Sequence, residues 1–213
     1  MKINIGCGMT PTKNWKNYDY STSIKLSKYP IISNLLFKLR LINDEQKNFI
    51  NYSLKNKIEL LDATKTFPFK DESIDVIYSS HMMEHLHRDD AVNFIKECYR
   101  VLHPKGILRL VMPDLRKNIE SYLKSNDADK FIEDLLIQPP KTKNISDLTK
   151  LYLSGGFRDH QWMYDGKSLI KLLSSCGFKN VIALPPGKTN LTDEKDLNLY
   201  EREDDSVFVE GIK

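Results

Sequence analysis

A glycine turn directly after a short first strand is the feature that most constrains the fold. Residues 2–5 alternate polar and apolar side chains and run straight into Gly6-Cys7-Gly8, a pattern typical of a strand that enters a tight turn. The same patterns predict helices over 89–102 and 165–176, and strands near 15–20, 57–61, 73–78, 107–112, 181–184 and 206–210. Because strands and helices alternate and the chain ends in a pair of strands, we predict a three-layer α/β fold with a mainly parallel sheet.

Three connections in this pattern carry further predictions. Only about seven residues separate the glycines from the second strand, whereas a parallel crossover normally needs a dozen or more. The chain from Met9 to Trp15 should therefore form a loop without a complete helix. Pro104-Lys105-Gly106 should break the chain before the fifth strand, and residues 114–153 should form helical pieces interrupted at Pro139-Pro140.

Residues 21–56 are predicted to form a helical insertion within one domain that spans the 213 residues. Residues 31–42 are rich in aliphatic side chains, and residues 21–58 contain seven Lys or Arg against two acidic residues. A basic segment of this kind can act as a lid or lie on a membrane surface. We favour a solvated helical cap whose aliphatic side chains join the core.

Composition excludes several classes of protein. Apolar residues make up 40% and charged residues 29% of the chain, unlike disordered, collagen-like or membrane proteins. The net charge of +3 is too small to imply a polyanionic partner, so no nucleic acid is expected. Three widely separated cysteines indicate neither a disulfide framework nor a cysteine-rich zinc site. Because no apolar stretch is long enough for a signal peptide or membrane span, we expect a cytoplasmic protein without stable membrane insertion.

Polar residues and glycines follow the first four predicted strands. They are Gly6-Cys7-Gly8, Asp19, Asp62-Ala63 and Glu84-His85-Leu86. Ligands of parallel α/β sheets bind outside the carboxyl ends of the strands, so these residues are candidates for one binding site. The G-x-G pattern alone is weak, because a plain tight turn explains it nearly as well.

Taken together, these residues resemble class I S-adenosylmethionine-dependent methyltransferases. The resemblance continues through ECYRVLHPKGILRL at residues 97–110. Within the superfamily it is greatest for small bacterial methyltransferases often linked to glycan assembly, whose pattern is similar to KINIGCG, NYD, LLDATKTFPFKDESIDVIYSSHMMEHL and HQWMYDGKSLIKLLSSCGF in this chain. It implies a Rossmann-like sheet with an antiparallel last strand, and S-adenosylmethionine as the methyl donor.

The resemblance also implies which residues bind the cofactor. The glycine turn would pass beneath the methionine moiety, Asp19 would bind the ribose hydroxyls, and Asp62 would accept a hydrogen bond from the adenine amino group. Ser79 and His81 would border the methyl group. The full cofactor-binding set is Gly6, Cys7, Gly8, Asp19, Asp62, Ala63 and Ser79. A bulky residue in place of either glycine should block the cofactor while the core strands stay intact.

The string from His81 to His85 also matches H-x-x-E-H, the inverted motif of some zinc proteases. Such a site needs a third protein ligand and a carboxylate that activates water. No matching motif follows in the sequence, so we predict no metal.

Histidines are the candidate catalytic residues, because an ordinary histidine can accept a proton near neutral pH. His81 and His160 rank ahead of His85, which either supports them or merely packs beneath the sheet end. In the loop before the last helix we expect Trp162 to be buried with Met163, and Asp165 to cap the helix. If no histidine accepts the proton, either the acceptor is a neutral amine that needs only to be positioned or Asp114 takes the proton.

These residues indicate a methyltransferase that acts on a small molecule, with a hydroxyl of a sugar or related metabolite, such as a glycan precursor, as the expected acceptor. Two alternatives stay open. A non-catalytic methyltransferase-like subunit is suggested by the short first connection and by Met9 and Thr10, where many members of the superfamily have another glycine. A nicotinamide-dependent oxidoreductase would share the G-x-G turn, but Pro11 stands at the third glycine of that fingerprint.

Overall fold

The computed structural model describes residues 1–137 and 159–213. Its strands are β1 (Lys2–Ile5), β2 (Lys16–Asp19), β3 (Glu59–Leu60), β4 (Ile74–Ser80), β5 (Leu102–Pro113), β6 (Lys179–Leu184) and β7 (Ser206–Ile212). Its helices are α1 (Thr22–Ser27), α2 (Pro30–Lys38), α3 (Asp44–Lys55), α4 (Arg88–Val101), α5 (Leu115–Ser125), α6 (Ala128–Asp134) and α7 (Gly166–Ser175). A short 3₁₀ turn, Met83–His85, follows β4.

The strands form a seven-stranded sheet in the order β3-β2-β1-β4-β5-β7-β6. Strands β1 to β5 pair in parallel, and β7 is antiparallel to both of its neighbours. This arrangement confirms the predicted Rossmann-like α/β fold with an antiparallel last strand. The strand order reverses between β1 and β4, so the switch point at which such sheets bind ligands lies at the ends of these two strands.

The two faces of the sheet are covered differently. On one face, α4 and α7 bury Phe94 and Leu169 against β-strand residues that include Ile3, in the largest apolar cluster. On the other face, the segment between β6 and β7 packs Leu191 and Leu197 over the strands. That segment therefore reaches the carboxyl ends of β4 and β5 without an intervening helix.

A fully buried ion pair ties this covering segment to the sheet. Arg109 of β5 and Glu210 of β7 are both 0% exposed, with 2.7 Å between Nη1 and Oε1. Arg109 also donates to the Lys188 carbonyl at 2.9 Å, and Glu210 accepts from the Thr189 hydroxyl and the Asn190 backbone N–H. Both charges are thereby compensated inside the protein.

The first connection is a loop, as predicted, with no helix between β1 and β2. Three polar side chains hold it. The Asn4 amide donates to the Thr12 hydroxyl at 3.0 Å, while the Thr12 N–H donates to Asn17 Oδ1 and the Asn17 amide donates back to the Thr12 carbonyl. These bonds replace the backbone pairing that a helix would have supplied.

The predicted break at Pro104-Lys105-Gly106 is wrong. Helix α4 ends at Val101 and β5 begins at Leu102, so the strand runs through the tripeptide. The register against β4 shifts between Ile74↔Leu102 and Val76↔Ile107, which is a β-bulge. The bulge needs Lys105 at φ +70° and a glycine next to it, because a Cβ at Gly106 would lie 2.9 Å from the His103 carbonyl. The interruption predicted at Pro139-Pro140 lies outside the described residues.

The prediction that the aliphatic side chains of residues 31–42 join the core is wrong for α2. Ile31 is 84% exposed and Leu35 is 55% exposed, although Ile42 is buried. Helix α2 contacts α1 and α3, but Ser33 is its only buried residue; Leu36 is half-buried and its other aliphatic side chains are exposed. No helix in the described part of the chain is long and apolar enough to cross a membrane.

This exposure gives a stability prediction. Lysine at Ile31 or Leu35 is expected to change the free energy of unfolding by at most about 0.5 kcal/mol, as at ordinary surface sites. Alanine at Ile24 of α1, which is 1% exposed, should cost about 2–5 kcal/mol through lost burial and a cavity. Urea denaturation measures all three variants. A large loss for the lysine variants would contradict the exposed position of α2.

Candidate active site

The glycine turn is fastened to the end of β2. Gly6 and Gly8 have φ values of +75° and +50°, which only glycine adopts without strain. The N–H groups of Gly6 and Cys7 donate to the Tyr18 carbonyl at 2.8 and 3.1 Å. Gly8 N–H donates to Asp19 Oδ2 at 3.0 Å. Asp19 is the last residue of β2, so its carboxylate lies at the strand end, beside the turn.

The two glycines have different surroundings. A Cβ at Gly6 would lie 2.3 Å from Met82 Cγ and 2.6 Å from Met82 Cβ, whereas a Cβ at Gly8 would meet no described atom within 4 Å. Gly6 is thus required by packing, and Gly8 faces open space. Between them, burial and the nearby Asp19 carboxylate hold the pKa of the Cys7 thiol far above its usual value, so Cys7 is a neutral packing residue.

The other two strand ends add Asp62 and Ser79. Asp62 follows β3, and its Oδ1 accepts from the Thr64 N–H at 2.9 Å and the Thr64 hydroxyl at 2.7 Å. Ala63 beside it is buried. Strands β2 and β3 pair in parallel with Asp19 opposite Leu60, so Asp19 and Asp62 both lie at the carboxyl ends of the strands. Ser79 in β4 is 1% exposed, and its hydroxyl has no hydrogen-bond partner among the described residues.

Glu201, from the segment between β6 and β7, also lies near the carboxyl ends of the strands. Its carboxylate accepts from the Tyr78 hydroxyl at 2.6 Å and from the Thr10 hydroxyl at 3.5 Å. Burial and this carboxylate raise the pKa of Tyr78, so the phenol keeps its proton. Sequence analysis missed Glu201, because no local pattern indicates which residue of a charged stretch will fold back over the first strands.

His81 follows β4 directly and has φ +48°. Its Nδ1 lies 3.2 Å from Arg202 Nη1, and its Nε2 lies 2.8 Å from the Ser206 hydroxyl. Because arginine can only donate, Nδ1 must accept, so the proton of a neutral His81 is on Nε2 and points to Ser206. Ser206 in turn donates to Asp205. The ring therefore faces the start of β7, and a substrate proton would reach Nδ1 only by displacing Arg202.

The structure brings the other two candidate histidines together around a buried carboxylate. The 3₁₀ turn after β4 places Glu84 in the interior at 1% exposure. Glu84 Oε1 lies 3.5 Å from His81 Nδ1 and 3.9 Å from His85 Nε2, and the rings of His85 and His160 are 5.1 Å apart. The sequence pattern includes Glu84 among the candidate residues after the strands but does not indicate that its carboxylate is buried between histidines.

Backbone hydrogen bonds hold the His160 loop at this cluster. The N–H groups of Gln161 and Trp162 donate to the Glu84 carbonyl at 2.7 and 3.2 Å, and the His160 N–H donates to the Leu136 carbonyl at 2.9 Å. Burial lowers the pKa of His160, and the Glu84 carboxylate opposes that effect. His160 is therefore a buried, neutral imidazole next to the carboxylate.

Two further expectations about this loop have different outcomes. Asp165 caps α7 by accepting from the Ser168 N–H at 2.7 Å, which confirms the predicted cap. Trp162 is 46% exposed, so its predicted burial is wrong. The indole instead lies against the Arg88 guanidinium, whose carbon is 5.2 Å from the ring centroid, a contact that covers part of the ring at the surface.

Asp114, the remaining candidate for a proton acceptor, follows β5 and caps α5. Its Oδ1 accepts from the Arg116 N–H at 3.0 Å. Burial raises the pKa of this carboxyl group, against the effect of the hydrogen bond and of Lys117. Asp114 therefore stabilises the start of α5, whatever its part in proton transfer.

The fold is that of a class I methyltransferase. Its sheet is parallel with an antiparallel last strand, a glycine turn follows β1, and carboxylates follow β2 and β3. Residues 4–110 match the family model described as "Methyltransferase domain". The chain belongs to this family and is an S-adenosylmethionine-dependent methyltransferase. The interpretation as a nicotinamide-dependent oxidoreductase is therefore set aside.

Solved structures share the fold at low sequence identity. A SAM-dependent methyltransferase from Methanosarcina mazei is 17% identical, with a TM-score of 0.51 over 100% of this chain and 91% of its own. The structure of PigF with SAH is 13% identical, with a TM-score of 0.51 over 100% of this chain and 50% of its own. No curated protein is similar enough in sequence to count as a match.

The residues at the carboxyl ends of the strands have the chemistry that this cofactor requires. No described atom lies within 4 Å of the position a Cβ at Gly8 would take, so a ligand can approach the backbone there. The carboxylates of Asp19 and Asp62 are the acceptors that ribose hydroxyls and an adenine amino group need. S-adenosylmethionine is the methyl donor of this enzyme.

Proposed function

We propose that this enzyme methylates a hydroxyl of a small molecule, and that the molecule is a sugar or glycan precursor. The observation that carries the proposal is the cluster of three histidines around the buried Glu84, at the carboxyl end of β4 and next to the glycine turn. A hydroxyl has to lose its proton during methylation, whereas a neutral amine needs only to be positioned. A cluster of proton-accepting groups is therefore better suited to a hydroxyl.

The cofactor would lie along the strand ends in the orientation that the family resemblance implies. When bound, it supplies a methyl group on a positively charged sulfur, which is already activated. The glycine turn and Ser79 would border the methionine and methyl groups, Asp19 would accept from the ribose hydroxyls, and Asp62 with Ala63 would contact the adenine. These carboxylates can each accept more than one hydrogen bond.

The acceptor would bind on the side of the histidine cluster. His81, His160 and His85 are the proposed catalytic residues; His81 Nδ1 lies 3.5 Å and His85 Nε2 lies 3.9 Å from Glu84 Oε1. Trp162 offers an exposed indole face beside the cluster, and Glu201 and Arg202 offer polar groups at its other side. An apolar ring face flanked by charged groups suits a polyol, which has both C–H faces and hydroxyls.

Calorimetric titration with S-adenosylmethionine and S-adenosylhomocysteine tests the cofactor residues. Asp19→Asn and Asp62→Ala are each expected to weaken binding by about 1–3 kcal/mol, or roughly 5- to 150-fold, through lost hydrogen bonds. Asp44→Asn, at an exposed site on α3, is the matched control and should leave the affinity unchanged. Unchanged affinity in the Asp19 and Asp62 variants would remove both residues from the site. No binding by the wild type would favour the non-catalytic alternative.

A panel of acceptors then tests the substrate class. Free sugars, nucleotide-activated sugars and primary amines are incubated with the enzyme and cofactor, and the mass increase of the product is measured. We expect methylation of a sugar hydroxyl and none of the amines. Methylation of amines alone would overturn the proposed acceptor.

A further inference from the structure

We propose that Glu84, His85 and His160 bind a divalent transition-metal ion, and that their chemistry fits Zn²⁺ best. The inference rests on the proposed function, because it places the ion where the acceptor hydroxyl would bind. It changes the role of two residues, since His85 and His160 would hold the ion instead of accepting the proton. Two histidine nitrogens and one carboxylate oxygen form a ligand set found in zinc enzymes that keep a fourth position open. Imidazole and carboxylate ligands without a thiolate suit Zn²⁺ and its neighbours in the first transition series.

The ligand atoms are already close together. One atom from each of the three side chains lies within 4.8 Å of the others. A tetrahedral ion with ligand distances of about 2.0–2.2 Å places its ligand atoms roughly 3.4 Å apart. Glu84 Oε1 and His85 Nε2 are 3.9 Å apart. Small rotations of these side chains would therefore complete the coordination without moving the backbone.

The buried atoms at this position lack the partners that burial requires. Within residues 1–137 and 159–213, neither carboxylate oxygen of Glu84 has a hydrogen bond, and neither does His160 Nδ1. Glu84 is 1% exposed and His160 is 9% exposed. An isolated buried carboxylate is costly, and a cation compensates it directly. Side chains from distant parts of the chain, each with an unpartnered buried atom, thus lie close together.

The backbone fixes these two ligands independently of any ion. Glu84 lies in the 3₁₀ turn after β4. The His160 loop is held to it by the hydrogen bonds from Gln161 and Trp162 to the Glu84 carbonyl. From the sequence, H-x-x-E-H predicts no metal site, because no matching motif supplies a third protein ligand. The fold supplies His160 as that ligand, although no spacing motif connects it to the others.

His81 borders the site without completing it. Its Nδ1 lies 3.5 Å from Glu84 Oε1 but also contacts Arg202, so the fourth position is left for the acceptor. A hydroxyl bound to such an ion has a lowered pKa and gives its proton to water. Its oxygen then forms a bond to the methyl carbon, while the carbon–sulfur bond breaks and its electron pair stays on the sulfur of S-adenosylhomocysteine.

Metal binding is measured on the full-length protein after dialysis against a chelator. Co²⁺ is titrated with visible absorption as the readout, and Zn²⁺ is titrated by calorimetry. We expect one equivalent to bind, with the intense absorption of a tetrahedral Co²⁺ site. Glu84→Gln, His85→Ala and His160→Ala should each weaken binding at least about 100-fold, because each removes one of only three protein ligands. His103→Ala, at an exposed histidine of β5, is the matched control and should bind like the wild type.

The outcomes separate this proposal from the proposed function. His85 is 35% exposed, so His85→Ala should fold even if a change at a buried ligand does not. Absence of Co²⁺ and Zn²⁺ binding in the wild type, or equal binding in the His85 variant, would overturn the metal site. Sugar methylation at full rate by metal-free enzyme would also overturn it and leave the proposed function intact. Tight metal binding in an enzyme that methylates only amines would keep the site and overturn the acceptor class.

Discussion

Valine at Gly8 is expected to lower the affinity for S-adenosylhomocysteine at least about 100-fold, or roughly 2.7 kcal/mol, with only a small loss of stability. The new side chain would meet no described protein atom within 4 Å and would occupy the space proposed for the cofactor. Backbone strain at φ +50° should cost about 1–2 kcal/mol of folding free energy. Calorimetry measures the affinity, and urea denaturation measures the stability.

Two other glycines make this prediction specific. Gly166→Ala, at the start of α7 where a Cβ would make only ordinary 3.5 Å contacts, should bind the cofactor like the wild type. Gly6→Ala should instead lose roughly 2–5 kcal/mol of folding free energy, from strain at φ +75° and from overlap with Met82. Adding Met82→Ala should recover part of that loss. Full cofactor affinity in Gly8→Val would refute the position assigned to the turn.

Methionine at Arg109 is expected to lower the free energy of unfolding by about 3–5 kcal/mol, because Glu210 would be left as a buried, uncompensated charge. The double variant Arg109→Met/Glu210→Leu removes both charges and should recover much of the loss, since an apolar pair of similar volume is often as stable. Urea denaturation with a double-mutant cycle measures the coupling between the two residues.

The exposed pair Arg116–Glu120 on α5 provides the control. Its side chains are 68% and 53% exposed, so Arg116→Met should change the stability by less than about 1 kcal/mol. Equal losses at Arg109 and Arg116 would contradict the burial of the first pair. If the double variant is no more stable than Arg109→Met, loss of the hydrogen bonds from Thr189 and Asn190 to the Glu210 carboxylate costs as much as the buried charge.

Local sequence patterns predict correctly those elements whose conformation depends mainly on their own residues. The glycine turn, the short loop after it and the helix at α4 follow from backbone freedom, chain length and apolar periodicity. Local patterns do not decide whether Asp19 lies at a strand end, because the first connection is too short for the usual crossover; pairing of β2 with β1 and its bonds to the glycine turn place it there. By contrast, Pro104-Lys105-Gly106 is typical of a turn but forms part of β5, because pairing with β4 outweighs the local preference.

The arrangement around Glu84 could not be predicted, because it depends on distances through space. The motif from His81 to His85 is local, but the approach of His160 depends on backbone bonds between two loops. The exposure of α2 is equally non-local. An aliphatic run indicates burial in general, and only the packing of α1 and α3 decides which of its residues are covered.

The three backbone hydrogen bonds that hold the His160 loop have a consequence for amide exchange. The N–H groups of His160, Gln161 and Trp162 all donate to carbonyls of other segments, Leu136 and Glu84. Their amide protons should therefore exchange with solvent slowly, although Gln161 and Trp162 have exposed side chains. Exchange rates at these three positions would report directly how often the loop separates from the turn after β4.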